Sequence, residues 1–230
     1  MLAPPSQPWS FNRPVGLGGR CAVSANLKRH FGLCFESPFD GWYTPLQGLI
    51  DCLVERDPLR LCDPHELVEV ESGPRIEAFN TRYWLELTHA FPHDADERLV
   101  GNWRETPLDE FGRTICRRWE YFLDADPWED RILFVRLAVP EDIEGPAAAR
   151  LEDLTRLEDA IANAFPQVDF RIAFLNYGRL ANEASRVAAS VSPRFAFAKV
   201  RHKPEPTWEG PPDEWDAALR AIPYRYDPAP

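Results

Sequence analysis

Cys21 closes the run Val15-Gly16-Leu17-Gly18-Gly19-Arg20 and stands where a helical pattern begins. A thiol at a helix N-terminus meets unpaired N–H groups and the positive end of the helix dipole, the usual way a cysteine is brought toward its thiolate near neutral pH. Gly18, Gly19 and Arg20 let backbone N–H groups approach a ligand oxygen, as an oxyanion or phosphate site requires. On a helical wheel Val23, Leu27 and Phe31 form one apolar stripe, roughly 120° from Cys21, so the thiol is not a core knob of its own helix. The plainer alternative is a small buried residue behind a tight turn. The segment lacks the spacing of a dinucleotide fingerprint and the GK[ST] of a phosphate-binding loop.

A thiolate nucleophile needs a base within hydrogen-bond reach. The candidates are His30, His65, His89, His93 and His202. In THAFPHDADE, residues 88–97, Pro92 forbids a continuous helix, so His89 and His93 cannot be the i, i+4 zinc pair of a metalloprotease. His93 followed by Asp94 reads as a base with an orienting carboxylate, against the alternative of a solvated polar loop. His89 and His202 stay open as bases, and His30 and His65 read as structural. Arg118 falls in the stripe of Phe111, Ile115 and Phe122, whereas Arg117 points away, so Arg118 must reach inward and be paired. Arg136 lies late in the strand-like ILFVRLA, at the end where α/β sheets place ligands. It suits a carboxylate or phosphate, or a brace to a neighbouring helix. Asp40 either caps the turn at Gly41 or enters the site. Asp94-Ala-Asp96 and Asp124-Ala-Asp126 read as chance DxD matches in a chain with 37 acidic residues.

These residues need a frame. Val15–Gly18 reads as a brief first strand, and the helix carrying Val23, Leu27 and Phe31 stops at Gly32. A second helix starts at Thr44-Pro45 with Gln47 completing a capping box, and buries Leu46, Leu49, Ile50 and Leu53. A third starts at Thr106-Pro107 and buries Leu108, Phe111, Ile115, Trp119 and Phe122. Strand Arg131–Val139, an amphipathic run from Leu151 to Phe165, and strand Phe170–Leu175 make a crossover between parallel strands. Arg194–His202 reads as another strand, and Asp213–Ile222 as a closing helix with Trp215, Leu219 and Ile222 inward. Within residues 68–90, Ile76–Leu87 suits a strand or a buried irregular segment. The expected fold is therefore α/β, a three-layer sandwich around a mostly parallel sheet, forming one domain over 1–230. Loose tails are expected at 1–12 and 223–230, and KPEPTWEGPP, residues 203–212, reads as a linker.

Composition narrows the partners. The net charge of −11 disfavours nonspecific binding to nucleic acid or anionic lipid by long-range repulsion. No secretion signal and no apolar run of membrane-spanning length is visible, so a cytoplasmic protein with no membrane partner is expected. Five cysteines, irregularly spaced and without a CxxC pair, argue against a disulfide framework and against zinc. No metal or cofactor is expected. The expected partner is a peptide or small-molecule substrate.

The ordered motifs Gly16-Leu17-Gly18-Gly19-Arg20-Cys21, Pro38-Phe39-Asp40-Gly41-Trp42, His93-Asp94, Arg117-Arg118 and Leu133-Phe134-Val135-Arg136 resemble those of a bacterial family of papain-like cysteine peptidases of unknown substrate. The resemblance covers residues 14 to about 136. It implies Cys21 as nucleophile, His93 as base and Asp40 or Asp94 as orienting acid. Gly16 departs from the family's serine, and Gly41 is inserted between Asp40 and Trp42. The reading is a cysteine-dependent hydrolase of an amide, ester or thioester, with Gly18, Gly19 and Arg20 holding the oxyanion. Two alternatives accompany it. One is an acyl- or glycosyl-transferase of surface-polysaccharide metabolism, binding a nucleotide or coenzyme A through Arg118 and Arg136. The other is a non-catalytic α/β binding protein.

Overall fold

A computed structural model describes residues 9–32, 36–144, 148–186, 192–201 and 210–228. Its centre is a four-stranded, fully parallel sheet in the order β2 (Arg13–Gly16), β6 (Arg131–Leu137), β7 (Asp169–Leu175), β8 (Phe195–Ala198). The expected α/β class with a mostly parallel sheet is what the chain adopts. Spatial order follows chain order, so each connection steps one strand further from β2.

Alternation along the strands sorts the two faces. Ile132, Phe134, Ile172 and Phe174 pack with α2 (Leu46–Glu55), α3 (Thr106–Leu123) and α5 (Leu151–Ala164). Leu133, Val135, Ala173 and Leu175 pack against α1 (Ala22–Phe31) and α7 (Pro212–Ala221). Strands buried on both faces read as continuous apolar runs, which is why β6 and β7 are legible as RILFVRL and DFRIAFL. All five residues expected to face inward on α3 are buried.

Three features depart from expectation. Residues 67–86 form a small antiparallel sheet, β3 (Leu67–Ser72), β4 (Arg75–Asn80) and β5 (Leu85–Glu86), turned at Gly73 and joined to the body by a Tyr43–Glu86 bridge. The tails expected to be loose instead pair: β1 (Ser10–Phe11) runs parallel to β9 (Arg225–Tyr226), and Phe11 packs on Phe31 and Tyr226. Aromatic burial, not hydrogen-bond number, supports so short a pair. Two helices were not anticipated, α4 (Pro140–Ile143) and α6 (Gly178–Arg186). Among the described residues no helix is long and apolar enough to cross a membrane.

Candidate active site at the carboxyl end of the sheet

The chain leaves β2 at Gly16 and crosses the carboxyl end of β6 before entering α1. Gly18 and Gly19 take positive φ there, 68° and 96°, the region only glycine enters freely. A Cβ on Gly19 would run into the Leu137 carbonyl oxygen, and one on Gly18 would come within 3.1 Å of the Phe39 carbonyl oxygen. The loop is thus pressed between the end of β6 and the following segment, which explains both glycines structurally. Cys21 is the N-cap residue of α1, half-buried, with no side-chain cap bond. The thiol sits where the sequence places it, at the positive end of a ten-residue helix. Arg20 is exposed, its guanidinium 6.0 Å from the centre of the Tyr43 ring.

Arg136 explains why the loop stays in place. The side chain is fully buried and spends its donors within the protein. Nε donates to the Tyr177 hydroxyl (2.8 Å), one terminal nitrogen to the Leu17 carbonyl (3.0 Å), and the other to the Thr44 carbonyl (2.6 Å) and Asp142 Oδ2 (2.8 Å). Tyr177 in turn donates to Asp142 Oδ2 at 2.7 Å. Burial opposes the Arg136 charge, but Tyr177 and Asp142 outweigh it and hold the guanidinium protonated. Burial also pushes the Tyr177 hydroxyl well above the usual tyrosine range. Arg136 therefore braces the cysteine loop and turns no donor toward a ligand, in place of the carboxylate or phosphate contact its strand position suggests. Asp142 and Tyr177 carry no sequence motif. Only their place just after the carboxyl ends of β6 and β7 hinted at them.

The same network corrects the start of α2. Thr44 forms no capping box, and its buried Oγ1 has no hydrogen-bond partner. Asp142 Oδ1 instead accepts from the Leu46 N–H at 2.6 Å, and Gln47 bonds along its own helix to Asp51. A buried carboxylate from another element displaces the local cap because it serves Leu46, Val139 and Arg136 together.

Asp40 lies over the end of β2. Its Oδ2 accepts from the Ser37 N–H at 3.0 Å, and its buried Oδ1 has no partner. It does not cap Gly41. Burial pushes the carboxyl up to about 7, against the Ser37 N–H and Arg118, which lower it, and with Glu36, which raises it. A carboxyl titrating there can give or take a proton at neutral pH. Asp40 also lines a cleft of about 580 Å³ with Arg118, His89, Thr114, Glu110 and Trp42. Arg118 is half-buried at the rim of this cleft, and Glu36, the acid beside it, is 3.7 Å from its Nε. That Nε is buried without a hydrogen bond.

The histidines divide. His93 does not meet Cys21: its Nε2 lies 3.0 Å from the Ile76 carbonyl and 3.4 Å from Glu77 Oε2 on β4. Asp94 does not orient that ring, because its Oδ1 accepts from the N–H groups of Asp96 and Arg98 in its own turn. Asp126 likewise closes a turn, on Trp128 and Glu129. His30 docks α1 on α7 through Asp216 at 2.8 Å, in keeping with a structural role. His65 is exposed. His89, at positive φ and exposed, is the imidazole that shares a cleft with Asp40. His202 and Cys34, and most of the expected linker, lie outside the described residues. Among the described residues no group of three or more potential ligands gathers to hold a metal ion.

No family model, curated protein or solved structure matches this chain.

Proposed function

We propose that the protein is a cysteine-dependent hydrolase of an acyl compound, an amide, ester or thioester, with Cys21 as nucleophile. The observation that carries this reading is the position of Cys21. It begins α1, half-buried, on a loop that Arg136 ties through Leu17 and that Gly19 seats on β6. A rigid backbone with N–H groups at a helix mouth is what a developing oxyanion needs. In this reading Cys21 Sγ attacks the acyl carbon while the carbonyl oxygen turns toward the N–H groups of the loop, the bond to the amine, alcohol or thiol breaks and that group leaves with a proton, and water then cleaves the acyl–sulfur bond to release the acid and restore the Cys21 thiol. This reading does not take His93 as the base, because its Nε2 is engaged by the Ile76 carbonyl and Glu77 in the small sheet. Asp40, poised near neutrality beside Gly16, is the described group best suited to exchange protons there.

Selective alkylation tests the reading. Burial pushes Cys52 well above the usual thiol range and Cys62 up to about 11, and also raises Cys116. Iodoacetamide at pH 7 should label Cys21 at least tenfold faster than those three. Cys21→Ser should abolish hydrolysis of p-nitrophenyl and thioester probes. Equal, slow labelling of all four thiols would remove the proposal.

A further inference from the structure

A pair of cysteines lies away from the Cys21 loop. Cys62 ends the 3₁₀ turn Pro58–Cys62, which lies along α3. Its Sγ rests 3.4 Å from where a Cβ on Gly112 would stand. Gly112 is in the middle of α3, an 18-residue helix, where glycine is disfavoured by about 1 kcal/mol relative to alanine. The Cys62 sulfur lies at van der Waals contact distance from that Cβ position. Cys116 is four residues further on the same helix face, about 6 Å along the axis. Helical side chains lean back toward the preceding turn, so Cys116 is directed along the face that carries Gly112, its atoms lying beyond 4 Å of the Cβ position that the Cys62 sulfur approaches. Both sulfurs line one cleft of about 660 Å³, together with Gly112, Leu108, Arg113 and Glu120.

We propose that Cys62 and Cys116 are a modification site, a dithiol that closes to a disulfide with a small-molecule disulfide as oxidant. The Cys62 thiolate attacks one sulfur of oxidised glutathione, forming a mixed disulfide and expelling a glutathione thiolate. Cys116, deprotonated in turn, attacks the protein-side sulfur and expels the second. Two protein thiols lose two electrons and two protons, and one glutathione disulfide becomes two thiols. Burial and the neighbouring acids Asp57, Asp63 and Glu120 hold both thiols protonated at neutral pH. The reaction is therefore slow there, and the bond once formed resists reduction, because high-pKa thiols are strong nucleophiles and poor leaving groups. This site does not depend on Cys21 being catalytic.

The test is incubation of the native full chain with oxidised glutathione at pH 8.5, followed by tryptic mapping. The expected product has lost two hydrogens. It links peptide 61–75 to peptide 114–117 and reverts with dithiothreitol. Its unfolding temperature is raised by several degrees, and the urea-unfolded chain forms at least tenfold less of it. Cys116→Ser should stop at a glutathione adduct on Cys62. Separate adducts on both cysteines of the native protein, links to other cysteines in place of this one, or no reaction at either thiol would each overturn the proposal.

Discussion

Asp40 Oδ1 lies 2.7 Å from the point where a Cβ on Gly16 would stand. The last residue of β2 thus carries no side chain because a buried carboxyl occupies the space. Gly16→Ala must displace that carboxyl and should destabilise the fold by about 1–2 kcal/mol. An Asp40→Ala background should relieve most of the loss, which a double-mutant cycle in urea would show.

The raised Asp40 pKa fixes the sign of a pH effect. Folded Asp40 keeps its proton up to about pH 7, whereas unfolded aspartate releases it near 4. Its contribution to stability is therefore whole below about pH 4 and is lost as pH rises toward 7 and beyond. Asp40→Asn, which keeps an acceptor for the Ser37 N–H, should gain about 2–4 kcal/mol at pH 8 and little at pH 4. Urea titrations across that range check it. If Asp40 moves protons for Cys21, the same variant loses hydrolysis and its pH dependence.

Arg136 tests the brace. Arg136→Leu strands Asp142 without its cation and should cost about 3–5 kcal/mol. Tyr177→Phe removes a single hydroxyl and should cost about 1–3 kcal/mol. The second variant folds well enough to report on the site. Its Cys21 alkylation rate should change measurably, because the Arg136 bond to Leu17 loses its neighbour.

Thr44 and Asp142 separate two accounts of one helix start. A local capping box would make Thr44→Val lose about 1 kcal/mol. The Asp142 cap predicts instead that Thr44→Val is within about 0.5 kcal/mol of wild type or more stable, since a buried hydroxyl without a partner is removed. Asp142→Ala should lose about 3–5 kcal/mol. Thermal or urea unfolding of the two variants distinguishes these outcomes.

His93 belongs to the small sheet, so His93→Gln should leave Cys21 alkylation within about twofold of wild type. It should lower stability by about 1–3 kcal/mol, because Glu77 Oε2, buried and without a hydrogen bond, then loses its imidazole neighbour. Loss of thiol reactivity in this variant would return His93 to the site.

The elements that bury repeating apolar faces were legible. The stripe on α3, the double-sided runs of β6 and β7, and Val23 and Leu27 of α1 are local patterns, and the fold follows them. Cys21 at a helix mouth was legible for the same reason, as both the glycines and the stripe are near neighbours in sequence. What was not legible depends on long-range contact. Asp142 capping Leu46, and Arg136 reaching Leu17, Thr44 and Tyr177, join segments that only the folded sheet brings together. His93-Asp94 looked like an ordered pair because adjacency in sequence suggests adjacency of function. In the structure the histidine turns to Ile76 while the aspartate turns to Arg98.

The pairing of Ser10 with Arg225 bears on how the protein is made. A ribosome delivers α1 early, but α7 and β9, which cover it, come only after nearly all of the intervening sequence. Until then Phe11 and Phe31, which pack on Tyr226, and the part of the sheet that α7 covers face water or whatever binds nascent apolar surface. The layer on that side of the sheet closes last, and a chain halted during synthesis would be left sticky there while its opposite layer was already packed.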